Sequence, residues 1–255
     1  CRLVGCIGPE GAKAIAEALK VNGALTDLNL SDNTLCGMRF GKGTYDATGI
    51  KAIAEALRVN GALTVLNLSG NELCGVDRFT GEGSYTAEGI NAIADALRVK
   101  GALLTDLNLC WNAIISGETA QQLAAAVLDS ASLEVFSEVP IKQLRADALT
   151  ELNLKNAGIG PAGGIVLAKL VEVSGALTSL NLLRNNLETA SANALAEIAK
   201  TKRISLCGIK PDQTTASFRN QRLDSPDAIL LASDLSITSS VSGVLTSLDM
   251  SSNRL

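Results

Sequence analysis

The sequence predicts an α/β solenoid, with one short strand and one helix per repeat stacked along a common axis. Three observations predict it. A leucine and asparagine pattern returns six times along the 255 residues. Alanine-rich segments with helical periodicity lie between successive copies. Hydrophobic residues make up 47% of the chain but aromatic ones only 3%, so its core must be built of stacked aliphatic layers.

The pattern is clearest at Leu25, Leu28, Leu30, Asn33 and Leu35, which set out L-x-x-L-x-L-x-x-N-x-L, the leucine-rich repeat signature. It returns at Leu63-Leu66-Leu68-Asn71-Leu73 and, after one extra residue, at Leu107-Leu109-Asn112-Ile114. Later copies are Leu149-Leu152-Leu154-Ile159, Leu177-Leu180-Leu182-Asn185-Leu187 and Leu245-Leu248-Met250-Asn253-Leu255. Side chains alternate along a strand, so Leu28 and Leu30 face inward while Asp27, Asn29 and Ser31 face outward. One repeat cannot bury its leucines alone, but a stack shares a continuous core. Asn33, Asn71, Asn112, Asn185 and Asn253 follow the strands where the chain turns inward. An amide there can satisfy turn backbone groups that would otherwise be buried unpaired, so these residues read as a structural ladder. Expected strands are Leu28–Leu30, Leu66–Leu68, Leu107–Leu109, Leu152–Leu154, Leu180–Leu182 and Leu248–Met250.

The segments between strands read as helices. Ile50, Ile53 and Leu57 share one helical face, with Lys51, Glu55 and Arg58 on the other, and Gly11–Leu19 and Gly89–Leu97 repeat the pattern. Alanine at most other positions favours helix and close approach. Asn22-Gly23, Asn60-Gly61 and Lys100-Gly101 read as glycine stop signals. A long repeat of strand, asparagine turn, alanine-rich helix and G-A-L-T resembles the ribonuclease-inhibitor-like subclass of leucine-rich repeats, found also in NLR-type receptor arrays and Ran GTPase-activating proteins. The resemblance implies a right-handed horseshoe with a parallel sheet on the concave face and helices on the convex side. It implies little about the ligand, because fold does not fix function.

Residues 1–255 are expected to form a single repeat domain. Cys1-Arg2-Leu3 matches the phase of Asn253-Arg254-Leu255, which reads as an excerpt from a longer array. Leu28 to Leu66 and Leu66 to Leu107 exceed the usual repeat of about 20–29 residues. The excess lies in twin insertions at 36–48 and 74–88, which share C-G-x(2,3)-F-x-G-x-G-[TS]-Y. Two irregular repeats are expected at 131–148, interrupted by Pro140, and at 201–223, where no helix follows Ile204-Ser205-Leu206. Ala157 takes the ladder position of the repeat between them, with Asn156 one place early.

The composition narrows the function. No histidine is present, which rules out a Ser-His-Asp triad or a Cys-His pair within this chain. The six cysteines stand singly without zinc-type spacing, so no metal, cofactor or catalytic residue is assigned. Gly41-Lys42-Gly43-Thr44 lacks the register of a phosphate loop. A net charge of −4 gives no reason to expect nucleic acid, and no apolar run is long enough to insert in a membrane. Isolated free thiols favour a reducing intracellular setting, which reads as the cytoplasm. The expected function is a non-enzymatic interaction module for a protein partner, or part of a larger complex. The alternatives are a structural linker subunit and a regulatory GTPase activator of the Ran type. The expected partner-binding residues are Arg39, Phe40 and Tyr45 in the first insertion, Arg78, Phe79 and Tyr85 in the second, and Trp111 after the third strand. Long loops on a rigid scaffold commonly carry function. Their shared pattern predicts that the insertions stack side by side, Phe40 on Phe79 and Tyr45 on Tyr85. The outward face of the strands is small, polar and mildly acidic; it is expected to expose Cys110, Leu183, Ser205 and Cys207 among others.

Overall fold

A computed structural model describes residues 6–77, 80–99, 103–112, 115–210, 212–237 and 244–254. Expectations for Cys1, Arg78, Phe79, Lys100, Gly101, Ile114 and Leu255 lie outside the described residues. The chain forms an α/β solenoid in two compact units, Cys1–Glu138 and Val139–Leu255.

The first unit contains α1 (Pro9–Val21), β1 (Asp27–Asn29), β2 (Met38–Arg39), β3 (Lys42–Gly43), α2 (Thr48–Val59), β4 (Val65–Asn67), α3 (Glu88–Leu97), β5 (Asp106–Asn108), α4 (Gly117–Asp129) and β6 (Val135–Phe136). Its sheet runs β1-β4-β5-β6, all parallel. Leu28 pairs with Leu66, Leu66 with Leu107 and Leu107 with Phe136. Leu66, Leu107 and Phe136 are almost completely covered, whereas Leu28 on the β1 edge is half-buried. Behind it pack Ile50 and Ile53 of α2 and Ile90 and Ile93 of α3, all at zero exposure. Each of the six expected strands begins and ends one residue earlier than expected, although the N–H of the last leucine still bonds to the neighbouring strand at Leu30, Leu68 and Leu154.

The second unit contains α5 (Ile141–Arg145), β7 (Glu151–Asn153), α6 (Gly160–Val173), β8 (Ser179–Asn181), α7 (Thr189–Lys202), β9 (Thr215–Ser217), α8 (Ser225–Ser236) and β10 (Ser247–Asp249). β7 pairs with β8 and β9 with β10, both parallel. Ser205 bridges to Ser179, extending the β7-β8 pair by a single residue. No helix follows it among the described residues before α8.

The turn after each strand uses one backbone device. The residue before the ladder position is left-handed: Asp32, Gly70, Trp111, Asn156, Arg184, Asn220 and Ser252 all have φ between 53° and 69°. The ladder amides then bond across repeats. Asn71 donates to the Leu30, Leu68 and Ser69 carbonyls, and its own N–H donates to the Asn112 side chain. Asn112 donates to Leu68 and Leu109, Asn185 to Leu154 and Leu182, and Asn253 to Phe218 and Met250. Asn33 donates to Leu30 and Ser31 and accepts from the Ile7 N–H. Where Ala157 interrupts the ladder, the Asn185 oxygen accepts from the N–H groups of Ala157, Gly158 and Ile159. Asn156 is therefore the left-handed turn residue and not a displaced rung.

Two expectations are corrected. Gly23 and Gly61 do not adopt the left-handed conformation of a glycine stop. Instead Asn22 and Asn60 cap the helix ends, each accepting from two following N–H groups, while buried Asn60 also donates to Leu19 O (2.6 Å) and Asn22 O (2.9 Å). A side-chain amide makes these bonds without the left-handed residue that a Schellman turn requires. Cys110, Leu183, Ser205 and Cys207 are also buried, at 3% exposure or less, because the chain turns inward directly after the strand.

Candidate functional site

Both insertions fold as small hairpins. In the first, Met38 pairs with Gly43 and Arg39 with Lys42, antiparallel. The turn residues Phe40 (φ 53°) and Gly41 (φ 70°) are both left-handed, as a two-residue type I′ turn requires. In the second, Val76 bridges to Gly83, also antiparallel. The hairpins lie side by side. A Cβ on Gly41 would come within 2.5 Å of the Glu82 carbonyl oxygen, so the two insertions approach through bare backbone.

The first hairpin is fastened to the next repeat at two points. The Glu72 carboxylate accepts from the Phe40 N–H (2.6 Å) and the Gly41 N–H (3.1 Å). The Tyr45 hydroxyl donates to the Leu73 carbonyl at 3.0 Å, and its ring lies 3.0 Å from where a Cβ on Gly75 would stand. Burial pushes the Tyr45 phenol well above its usual range. The expected Tyr45–Tyr85 ring pair is replaced by this staple, because the space beside Gly75 takes the Tyr45 ring. Tyr85 remains 47% exposed. The expected Phe40–Phe79 pair involves a residue outside those described.

Beneath the hairpin tip lies a cleft lined by Asp32, Asn33, Arg39, Phe40, Gly70, Glu72, Asp77 and Trp111, holding about 90 Å³. Three of the expected partner-binding residues, Arg39, Phe40 and Trp111, are thus brought together from the first insertion and the third strand turn. Tyr45 is committed to the staple, Tyr85 is absent from the cleft lining, and Arg78 and Phe79 lie outside the described residues. Phe40 is 60% exposed and carries the Arg39 guanidinium 5.3 Å from its ring centre, a cation–π geometry. Trp111, Gly70 and Asp32 are successive left-handed turn residues, so the cleft has an acid at one end, no side chain in the middle and an aromatic wall at the other. A bulky residue in that conformation costs about 1–2 kcal/mol, which Asp, Asn or Gly would largely avoid.

The face of the parallel strands carries further acids. Burial raises the Asp106 carboxyl above its usual range, and the carboxylates of Glu138 and Asp27 push it the same way. The outward asparagines Asn29, Asn67, Asn108, Asn153 and Asn181 each accept from the N–H two residues on, and none of them is buried. Asn108 also donates to Glu138 (3.1 Å).

Two carboxylates in α8, absent from the expected site residues, also serve the turns. Asp234, completely buried, accepts from the Leu206 N–H (2.6 Å), the Cys207 N–H (3.0 Å) and the Ser205 hydroxyl (2.8 Å), acting as the rung that 204–206 lacks. Asp227, 3% exposed, accepts from the Arg184 N–H and closes a capping box with Asp224. Burial, partly offset by these donors, raises both carboxyls to about 6. Their acidic character on an apolar helix was the available signal. Cys36, Cys74 and Cys110 are buried free thiols whose pKa burial pushes up to about 12. No group of three or more metal-ligating side chains, and no helix long and apolar enough to cross a membrane, occurs among the described residues.

The leucine-rich repeat family model matches residues 149–168. No curated protein matches the chain. Among solved structures it is similar to leiomodin-1 actin-binding site 2, at 25% identity and a TM-score of 0.39 over 52% of this chain and 64% of that one. The chain thus matches just under two thirds of that relative. It is also similar to the leucine-rich repeat-containing protein LegL7 from Legionella pneumophila, at 16% identity and a TM-score of 0.27, over 91% of this chain and 85% of that one. The strand, the left-handed turn and its amide rungs recur in both units, as an α/β repeat solenoid requires.

Proposed function

We propose that the chain is a non-enzymatic interaction module that binds a protein partner through the edge where the insertions lie. One observation carries the reading: the cleft that joins Arg39 and Phe40 of the first insertion to Trp111 of the third strand turn. Tight protein interfaces rest on Trp, Tyr and Arg anchors held in place before binding. Glu72 and the Tyr45 staple hold the hairpin from two sides, so its exposed side chains lose little freedom on docking. The cleft is also far smaller than the roughly 300–1,000 Å³ of a small-molecule site, and fits one side chain of a partner better than a cofactor. The non-enzymatic reading is supported by the absence of histidine and by buried cysteines held in the unreactive thiol form.

The test is affinity capture from an extract of the native source, with crosslinking and mass spectrometry, using the wild-type chain beside Phe40→Ser and Trp111→Gly. Proteins held by the wild type and lost from both variants are expected. Identical protein sets on all three baits would overturn the reading.

A further inference from the structure

We propose that the turn edge of the second unit binds an acidic segment of a protein partner, whose carboxylates lodge among Lys155, Arg219, Arg222 and Arg254. The seat is made by residues of this unit alone and does not depend on the cleft of the first.

Charges on a repeat surface are ordinarily solvated or paired within it, and the helices of this unit follow that rule: Lys169 is ion-paired with Glu172 and Lys200 with Glu197. The turns do not. Lys155 follows β7, Arg219 and Arg222 follow β9, and Arg254 follows β10. Among the described residues none of these four forms an ion pair. Ala216 lies opposite Leu248 in the β9-β10 pair, and the turns keep that offset. The Gln221 N–H donates to the Asn253 side chain (3.0 Å), and the Arg254 N–H donates to the Leu223 carbonyl (2.9 Å). Arg222 and Arg254 therefore hold equivalent positions in adjacent repeats, their backbones about 4.8 Å apart. Both are exposed. Lys155 joins them from β7, its Nζ donating to Gln221 Oε1 at 2.8 Å. Like charges stacked on neighbouring strands repel, and an anion shared between them turns that repulsion into attraction. Arg222 is also left-handed (φ 59°), a conformation that Gly or Asn holds at less cost, so the turn itself does not call for arginine.

The nearby acids are engaged elsewhere. Asp224 and Asp227 form the capping box of α8, and Asp227 also accepts from the Arg184 N–H. Asp249 accepts from the Ser251 N–H, which lowers its carboxyl more than Arg219 does. Glu151 opens β7, four residues ahead of Lys155. Positions 211, 238–243 and 255, the undescribed part of this unit, carry no ionisable side chain in the sequence.

The chemistry selects a carboxylate-bearing segment. The planar fork of arginine meets a carboxylate through two parallel N–H···O bonds. Phe218 is the only aromatic residue between 139 and 255 and is buried, so a nucleic-acid base has nothing to stack on. A net charge of −4 over the whole chain repels long polyanions and anionic membranes, while a short segment meets the cationic turns alone.

Fluorescence anisotropy of a labelled, unstructured twelve-residue Glu/Ser/Gly peptide reads binding to the 255-residue chain at low and high salt. Wild type is compared with Arg222→Asn/Arg254→Gln and with Lys169→Gln/Lys200→Gln, which removes the same charge from helices of the same unit. Asn tolerates the left-handed turn at 222. Saturable binding is expected for wild type and the helix variant. The turn variant should bind about tenfold more weakly or worse, and salt should weaken binding further. Lys155→Met, which keeps the apolar stem, should cost about threefold or more. Circular dichroism checks that each variant keeps the wild-type fold. No saturable binding by wild type, equal binding by the folded turn and helix variants, or tighter binding of an oligothymidylate or of phosphatidylserine vesicles than of the Glu peptide would overturn the proposal. Partner capture that depends on Phe40 and Trp111 is read separately, so either reading can fail without the other.

Discussion

Asp234 should make the chain less stable as the pH rises from 4 to 7.5, against the usual behaviour of a hydrogen-bonded carboxylate. Its folded pKa is raised from 3.8 to about 6, chiefly by burial. A raised folded value means that the native state holds the proton more tightly than the unfolded chain. The stability is fully present below 3.8 and is lost as the pH climbs through about 6. The rise from 3.8 to about 6, with the three donors already counted, corresponds to about 3 kcal/mol at neutral pH. Asp234→Asn removes the titration and also leaves one buried donor without an acceptor. That second cost, about 1–3 kcal/mol, does not vary with pH. Urea unfolding of wild type and variant at pH 4, 5, 6 and 7.5 separates the two. The stability difference, wild type minus variant, should fall by up to about 3 kcal/mol across the series. Subtracting the variant removes Asp46, Asp147 and Asp249, whose carboxyls are lowered and act in the opposite sense. A difference that stays constant, or grows with pH, would refute the view that burial outweighs the donors at this site.

Leu66→Asp should abolish the cooperative unfolding of the first unit, seen as lost amide protection, since Leu66 has zero exposure and an unpaired buried charge costs several kcal/mol. Asn60→Ala should cost about 2–4 kcal/mol in thermal or urea unfolding, because one buried amide bonds both to Leu19 and Asn22 carbonyls and to Ala62 and Leu63 N–H groups. Asn22→Ala, at the exposed end of the same row, should cost about 1 kcal/mol or less. Cys36 and Cys74, with thiols near 12, should resist iodoacetamide in the folded chain and label fully in denaturant, and a disulfide between them in non-reducing mass analysis would refute this.

The repeated pattern determined the strand–turn–helix order, the inward leucines, the amide positions and the place of the two insertions. Each of these is set within a few residues or by strict recurrence, so local chemistry is enough to read it. Tertiary structure decided what depends on how neighbours fit. Phe40 and Tyr45 belong to one motif, yet packing exposes Phe40 and commits Tyr45 to Leu73, because Gly75 and Gly89 leave room for that ring in the next repeat. Trp111 reads as an isolated aromatic until stacking places Asp32, Gly70 and Trp111 in a row beneath the first hairpin. The irregular stretch at 204–214 shows the same limit: it has neither a ladder asparagine nor a helix of its own, and Asp234, about thirty positions along the chain, supplies the missing acceptor. A pattern can show that buried N–H groups need a partner. Which side chain answers them depends on which helix comes to rest over the turn, and that is fixed by packing across repeats.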